Sequence, residues 1–250
     1  MIERIRESFL KEGFDLSELQ IKQLNEFKNL LVYWNSKMNL TAIDDEEGIL
    51  YKHFIDSANI LKTEWINDNL KILDIGSGAG FPGIVIKILR PEVDIILLDS
   101  TAKRVNFLQT VIDKLELKNI KAIHGRAEEL AQKREYREKF NIVTSRAVAN
   151  LSMLLELSIP FISVKGFFIP MKGSNYLEEV RVSKNAFIKL DSKLVDTYSY
   201  KLVEQDRHIL KIVKNKSTNK IFPRKFGVIK KKPLWFEVKR CFIKINLHVF

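Results

Sequence analysis

Apolar residues recur at steps of three and four near the start of the chain. Ile21, Leu24, Phe27, Leu31, Trp34 and Met38 fall on one face, and the spacing predicts an amphipathic helix over 17–38. Ser17 and Gln20 have the separation of a capping box at its start. A second helix is predicted over about 46–62 from the same periodicity. From Lys71 the pattern changes. Short apolar runs, "KILDI", "DIILLD", "IKAIHG", "FNIVTSR" and "GFFIPM", alternate with helix-length amphipathic segments. Such alternation predicts βα units and a mostly parallel sheet. Near the end, "KLVDTYSYKL" and "RHILKIVKN" read as two strands of a closing hairpin. The expected architecture is an α/β, doubly wound sheet domain over 66–234 beneath a helical N-terminal cap over 1–65. Residues 235–250 are biased to apolar positions and suit an added strand, self-association or an extension of little use.

Composition narrows the class. At 250 residues with 46% hydrophobic positions, the chain can bury a substantial core. No apolar run approaches the roughly 20 residues of a membrane span, and the charged start "MIERIRESFLKEGFD" lacks the apolar middle of a signal peptide. A single cysteine, Cys241, rules out an intrachain disulfide and disfavours a cysteine-built metal site. These features predict a cytoplasmic protein without a metal; a monomer with no membrane partner is the accompanying expectation. The net charge of +11 is uneven: residues 1–70 carry −5, and 207–232 hold ten Lys/Arg and no acid. A basic block of this kind suits a polyanion such as nucleic acid, or an anionic membrane surface. It equally suits a solvated lysine-rich face, and charge alone does not choose.

The chemistry concentrates in "KILDIGSGAGFPG", residues 71–83. Asp74 and Ile75 close a strand, and Pro82 suits the first turn of a helix. Between and just beyond them lie Gly76, Gly78, Gly80 and Gly83. Glycines permit positive φ and let a ligand approach bare backbone, and nucleotide-like ligands bind in this strand-to-helix crevice. Counted from Gly76 the spacing is GxGxG, so the third position of a dinucleotide fingerprint falls on Phe81. Asp99 ends the next strand, 23 residues beyond Gly76, where an acid can accept hydrogen bonds from a ribose diol. An acidic first strand, a GxGxG turn and an acid ending the second strand fit S-adenosyl-L-methionine better than NAD.

Further runs follow in order: "DSTAKRVNFL", "GRAEEL", "VTSRAVANL", "MKG" and "FPRKFGVIKKKPL", with "WNSKMNLTAI" and "HFIDS" upstream. Together with the glycine turn, over about residues 15–234, they resemble the bacterial small-subunit ribosomal RNA guanine-N7 methyltransferases of the glucose-inhibited division protein B family. The resemblance implies a Rossmann-like, seven-stranded methyltransferase sheet, S-adenosyl-L-methionine as cofactor, and 16S ribosomal RNA or the small ribosomal subunit as partner. It implies cofactor contacts at Gly76, Phe81, Asp99, Ser100, Thr101, Ala127 and Glu128, with Arg146 near the methyl-donor end. Phe81 is expected to stack on a ligand. Lys103, Arg126 and Arg207 match basic positions that meet RNA or support the pocket. Arg224, Lys225, Lys230, Lys231 and Lys232 extend that set from their charge, with Phe222 and Phe226 interleaved among them. Each has a plainer role open to it: a solvated helix face for Lys103, a first-turn acid for Glu128, core for Phe81. His53 and Asp56 are one helical turn apart and suit an internal hydrogen bond or closure of the site. No catalytic side chain is assigned, because N7 carries an exposed lone pair and needs no base. A cofactor-binding RNA module without turnover is the alternative.

Overall fold

The computed structural model describes residues 1–235. Positions 236–250, with Cys241 and most of the extension, lie outside the described residues. The strands are β1 (Lys71–Ile75), β2 (Asp94–Asp99), β3 (Ile120–His124), β4 (Phe140–Arg146), β5 (Ile162–Lys172), β6 (Ser192–Leu202) and β7 (Gln205–Lys214). They form one sheet in the order β3-β2-β1-β4-β5-β7-β6. β1 to β5 run parallel, and the β6–β7 hairpin closes the edge antiparallel. The sheet is the one the alternation predicts, and it puts the ends of β1, β2 and β4 side by side on one edge.

Two apolar layers cover it. Successive residues of a strand point to opposite faces, so Ile72, Ile95, Leu97 and Ile142 share a core with the N-terminal helices and with helices Gly83–Leu89 and Ala102–Lys114. Leu73, Ile96, Leu98 and Val143 pack on the other side, against helix Leu151–Ser158. Strands buried on both faces explain why "DIILLD" is apolar almost throughout.

Helix Glu18–Met38 carries the expected capping box, with Ser17 and Gln20 each accepting from the other's backbone N–H. Its Phe27 stacks on Phe54 at 5.5 Å and lies 5.2 Å from Phe81 in the glycine turn, fastening the helix over the turn. The second predicted helix spans 46–63 but is not regular. Its centre, Ile49–Ile55, is a π-helix and its end, Asn59–Thr63, is 3₁₀. A π turn widens the helix and often marks a functional site. Here the widened turn presents the Lys52 carbonyl to Arg146 at 3.1 Å. Among the described residues no helix is long and apolar enough to cross a membrane.

Candidate active site

The glycine turn is held from below by carboxylates and carbonyls. The Gly76 and Ser77 N–H groups donate to the Leu98 carbonyl at 2.7 and 3.1 Å. Gly78 N–H donates to Asp99 Oδ2 at 2.9 Å, and Gly83 N–H to Asp74 Oδ2 at 3.1 Å. Gly76 has φ +69° and Gly78 φ +57°, the left-handed region that favours glycine. A Cβ on Gly76 would lie 2.7 Å from Val148 Cγ2, whereas one on Gly78 would meet only the Gly76 carbonyl at 3.8 Å. Val148 thus fills the space beside Gly76, and the space beside Gly78 is open.

That crevice, about 150 Å³, is bounded by Gly76, Ser100, Arg126, Ala127 and Glu128 on one side and by Val148 and Phe226 on the other. The fold thus gathers four of the expected cofactor contacts from three separate segments. Polar atoms there fit a nucleoside with a charged tail. Glu128 is largely buried, with Arg126 at 3.9 Å. Asp74 Oδ1 is buried beneath the turn without a hydrogen-bond partner. Val148 leans over Gly76 from the loop after β4, in which Ala147 has φ +55°. A ligand lying along Gly76 must pass it.

Four of the expected residues, Asp99, Thr101, Phe81 and Arg224, do not line the crevice. Asp99 is only 3% exposed, and its two oxygens accept from Gly78 and Thr101 N–H groups. It clamps the turn to β2 and does not line the crevice; neither does Thr101, which precedes the next helix. Phe81 is 4% exposed and stacks on the His53 ring at 4.5 Å, so its side chain belongs to the core. Arg224 reaches fully buried Glu156 through Nε at 2.7 Å and Nη2 at 2.6 Å, which removes it from the phosphate-facing set.

Arg146 stands at the end of β4 and opens onto a second cavity of about 400 Å³, beside the ends of β4, β5 and β7. Ala147 lines this cavity and Val148 the crevice, so the two adjoin. Arg146 donates to Asp56 Oδ2 at 2.8 Å, approaches His53 Nδ1 at 3.1 Å and lies over the Phe81 ring at 4.9 Å. Asp56 Oδ1 accepts from Tyr200 at 2.8 Å and lies 3.6 Å from Arg207 Nε, a buried donor with no hydrogen-bond partner of its own. Burial and the Asp56 charge raise the Tyr200 hydroxyl far above its ordinary range, keeping it a donor. Thr41, from the "WNSKMNLTAI" run, bonds His53 Nε2 at 2.9 Å. The structure adds Lys52, Lys172 and Glu179 to this wall, none of which the sequence reading placed in the site. "MKG" contains Lys172 but gave no hint of its direction, and Glu179 sits in an ordinary amphipathic helix, Tyr176–Val182.

The remaining basic residues spread outward. Lys103 is exposed on helix Ala102–Lys114. Arg126, Lys225 and Phe226 line a shallow 790 Å³ depression beside the crevice, with Arg126 5.8 Å from the Phe226 ring. Phe222 is 6% exposed and packs in the core, so of the two interleaved phenylalanines only Phe226 faces a cavity. Lys230, Lys231 and Lys232 are exposed at the end of helix Phe226–Lys231.

Two buried groups set opposing pH dependences. Burial, reinforced by Arg146, pushes His53 from 6.5 down to about 3. Burial pushes Asp74 from 3.8 up to about 7, against the Gly83 N–H. Below about pH 6.5 the unfolded chain takes up a proton on His53 that the folded chain refuses, so acid destabilises. Between about pH 4 and pH 7 the folded chain keeps a proton on Asp74 that the unfolded chain releases, so rising pH destabilises. The two contributions oppose each other where they overlap. His53→Gln leaves the Asp74 contribution exposed: its stability to urea is expected to fall from pH 4 to pH 7 more steeply than that of the wild type. Parallel profiles would contradict this assignment.

The family model described as "GidB: rRNA small subunit methyltransferase G" matches residues 20–210. A protein of Clostridium botulinum (strain ATCC 19397 / Type A), named ribosomal RNA small subunit methyltransferase G, is 47% identical over 224 residues, 89% of this chain and 94% of its own length. The Clostridium perfringens (strain 13 / Type A) protein of the same name is 48% identical over the same shares. Among solved structures, a SAM-dependent methyltransferase from Aquifex aeolicus superposes with a TM-score of 0.53 at 13% identity, over 70% of this chain and 97% of its own. An M. jannaschii protein solved in complex with AdoMet gives 0.52 at 14% identity, over 69% and 79%. The two structures share the fold, and the sequence matches over most of the chain decide the rest: this chain belongs to the rRNA small subunit methyltransferase G family.

Proposed function

We propose that the chain transfers the methyl group of S-adenosyl-L-methionine to N7 of a specific guanine in 16S ribosomal RNA, in the cytoplasm and as a monomer. The observation that carries this reading is the adjacency of two cavities at one sheet edge. One is walled by the bare Gly76 turn, the other by cationic side chains around Arg146. Gly76, Ser100, Ala127 and Glu128 would hold the cofactor. Bound there, the cofactor supplies an electrophilic sulfonium methyl. Residues 1–65 serve as the cap that closes the second cavity, through Lys52, His53 and Asp56.

The chain's part in the reaction is alignment. Guanine N7 is an acceptor with an available lone pair, so no side chain has to remove a proton before attack. His53, uncharged above about pH 3, adds no positive charge to the wall. Arg146 is held by Asp56 and the Lys52 carbonyl, which fixes the rim between the cavities. Holding the base against the methyl group lowers the barrier through orientation, an effect that reaches several kcal/mol in well-aligned systems. Arg207, which lines the second cavity with its side chain 28% exposed, suits a phosphate oxygen. Arg126, Lys103, Lys225, Lys230, Lys231 and Lys232 extend an electrostatic seat for the RNA backbone.

The test is methyl transfer from labelled cofactor to 16S RNA, naked and in small subunits, taken from cells lacking this protein, with the modified base mapped. Label on a guanine N7 supports the reading. Cofactor binding without label on any RNA would favour the binding module. Association with RNA is expected to weaken with a log–log salt slope of about −0.7 to −0.9 per phosphate contacted. Replacing Lys230, Lys231 and Lys232 together by alanine should flatten it, and an unchanged slope would remove them from the seat.

A further inference from the structure

We propose that Glu179 is a specificity-determining residue that reads the N1–H and N2–H edge of the target base. The inference rests on the functional reading above and adds the group that selects guanine. The wall of the second cavity carries cations, which donate hydrogen bonds, and two acids, Asp56 and Glu179. Guanine presents acceptors on its N7/O6 side and donors at N1 and N2, so a site that recognises it needs an acceptor opposite N7. Asp56 does not supply one. It is 4% exposed, with Oδ1 accepting from Tyr200 and Oδ2 from Arg146. Glu179 differs. Its Oε2 accepts from Leu151 N–H at 2.6 Å and lies 2.7 Å from Lys172 Nζ. Among the described residues, Oε1 takes part in no hydrogen bond, and the side chain keeps 21% of its surface exposed. Two partners on one oxygen fix the carboxylate and leave the other oxygen open to the cavity.

Placement agrees. The Gly76 crevice lies at the ends of β1 and β2, and the second cavity at the ends of β4, β5 and β7. A base with N7 toward the crevice turns its opposite edge toward β5 and the helix that carries Glu179. Methylation leaves positive charge on the ring, which strengthens donation from N1–H and N2–H. A carboxylate at that edge therefore binds the transition state more tightly than the substrate. Adenine, with an acceptor at N1 and no N2 group, would face the carboxylate unpaired.

The experiment pairs wild type and Glu179→Gln with two RNAs that differ only in carrying guanine or inosine at the mapped target. Inosine keeps N7, O6 and N1–H and lacks the N2 amine. In the glutamine variant Leu151 N–H still requires the carbonyl oxygen, so the amide nitrogen, a donor, is turned to the base. Wild type is expected to prefer guanine over inosine in kcat/KM by about tenfold to a hundredfold, and Glu179→Gln to lose activity on guanine RNA and most of that preference. S-adenosylhomocysteine affinity should stay near its wild-type value, while Tm is expected to fall because Lys172, with 8% of its side chain exposed, loses its charge partner. Glu179→Asp, which keeps the charge at shorter reach, should retain a partial preference and serves if the glutamine variant does not fold. A guanine-to-inosine ratio equal in wild type and variant, with the methyl still on N7, would overturn this assignment alone. A methyl mapped to any other atom would overturn the functional reading and this assignment with it.

Discussion

Gly76→Val is expected to lower the affinity for S-adenosylhomocysteine by at least ~100-fold while leaving a folded protein. Two effects add. A β-branched residue at φ +69° costs on the order of 1–3 kcal/mol in backbone strain, relieved only if the turn moves. Its Cβ would lie 2.7 Å from Val148 Cγ2, so the turn, the loop after β4, or both must shift. Either shift alters the wall on which the nucleoside rests. Calorimetric titration measures the loss, and thermal unfolding shows whether the fold survives. Gly76→Ala combined with Val148→Ala relieves the contact but keeps the strain, so it should recover part of the affinity. Wild-type affinity in Gly76→Val would place the cofactor elsewhere.

Local features were legible in the sequence. The capping box at Ser17, the apolar runs of β1 to β5 and the closing hairpin are read from spacing over a few residues, and each forms as expected. The glycine turn was legible because positive φ and bare backbone restrict the residues that can occupy it. Long-range partners were not. Nothing near Phe81 announces Phe27 or His53, which arrive from helices about thirty to fifty positions earlier and take its ring into the core. Asp99 ends β2 as predicted, yet its two carboxylate oxygens accept from the Gly78 and Thr101 N–H groups. Hydrophobic spacing predicts a helix over about 46–62 but does not separate α from π turns. Glu179 and Lys172 were missed for a related reason. An acid on an amphipathic helix looks solvated until the fold brings a cavity to it.

Arg224→Ala is expected to cost about 3–5 kcal/mol of stability, since it leaves a carboxylate buried and unpaired. Charge counting alone puts Arg224 among the RNA contacts; the structure gives it Glu156, 68 positions away and fully buried. Three hydrogen bonds join the two, one from the Arg224 backbone N–H, and Nη2 also donates to the Lys232 carbonyl at 3.0 Å. The guanidinium thus ties the segment that carries Phe226 to helix Leu151–Ser158. For a chain of this size the loss corresponds to a fall in Tm on the order of 6–20 °C. The salt slope of RNA binding should not change, because a guanidinium neutralised by Glu156 releases no counterion. Lys231→Ala should behave in the opposite way, with Tm held and the slope reduced by about 0.7–0.9. Replacing both partners by apolar residues, Glu156→Leu with Arg224→Met, should recover most of the stability, as the buried charge is gone. A reduced salt slope in Arg224→Ala at unchanged Tm would return this residue to the RNA surface.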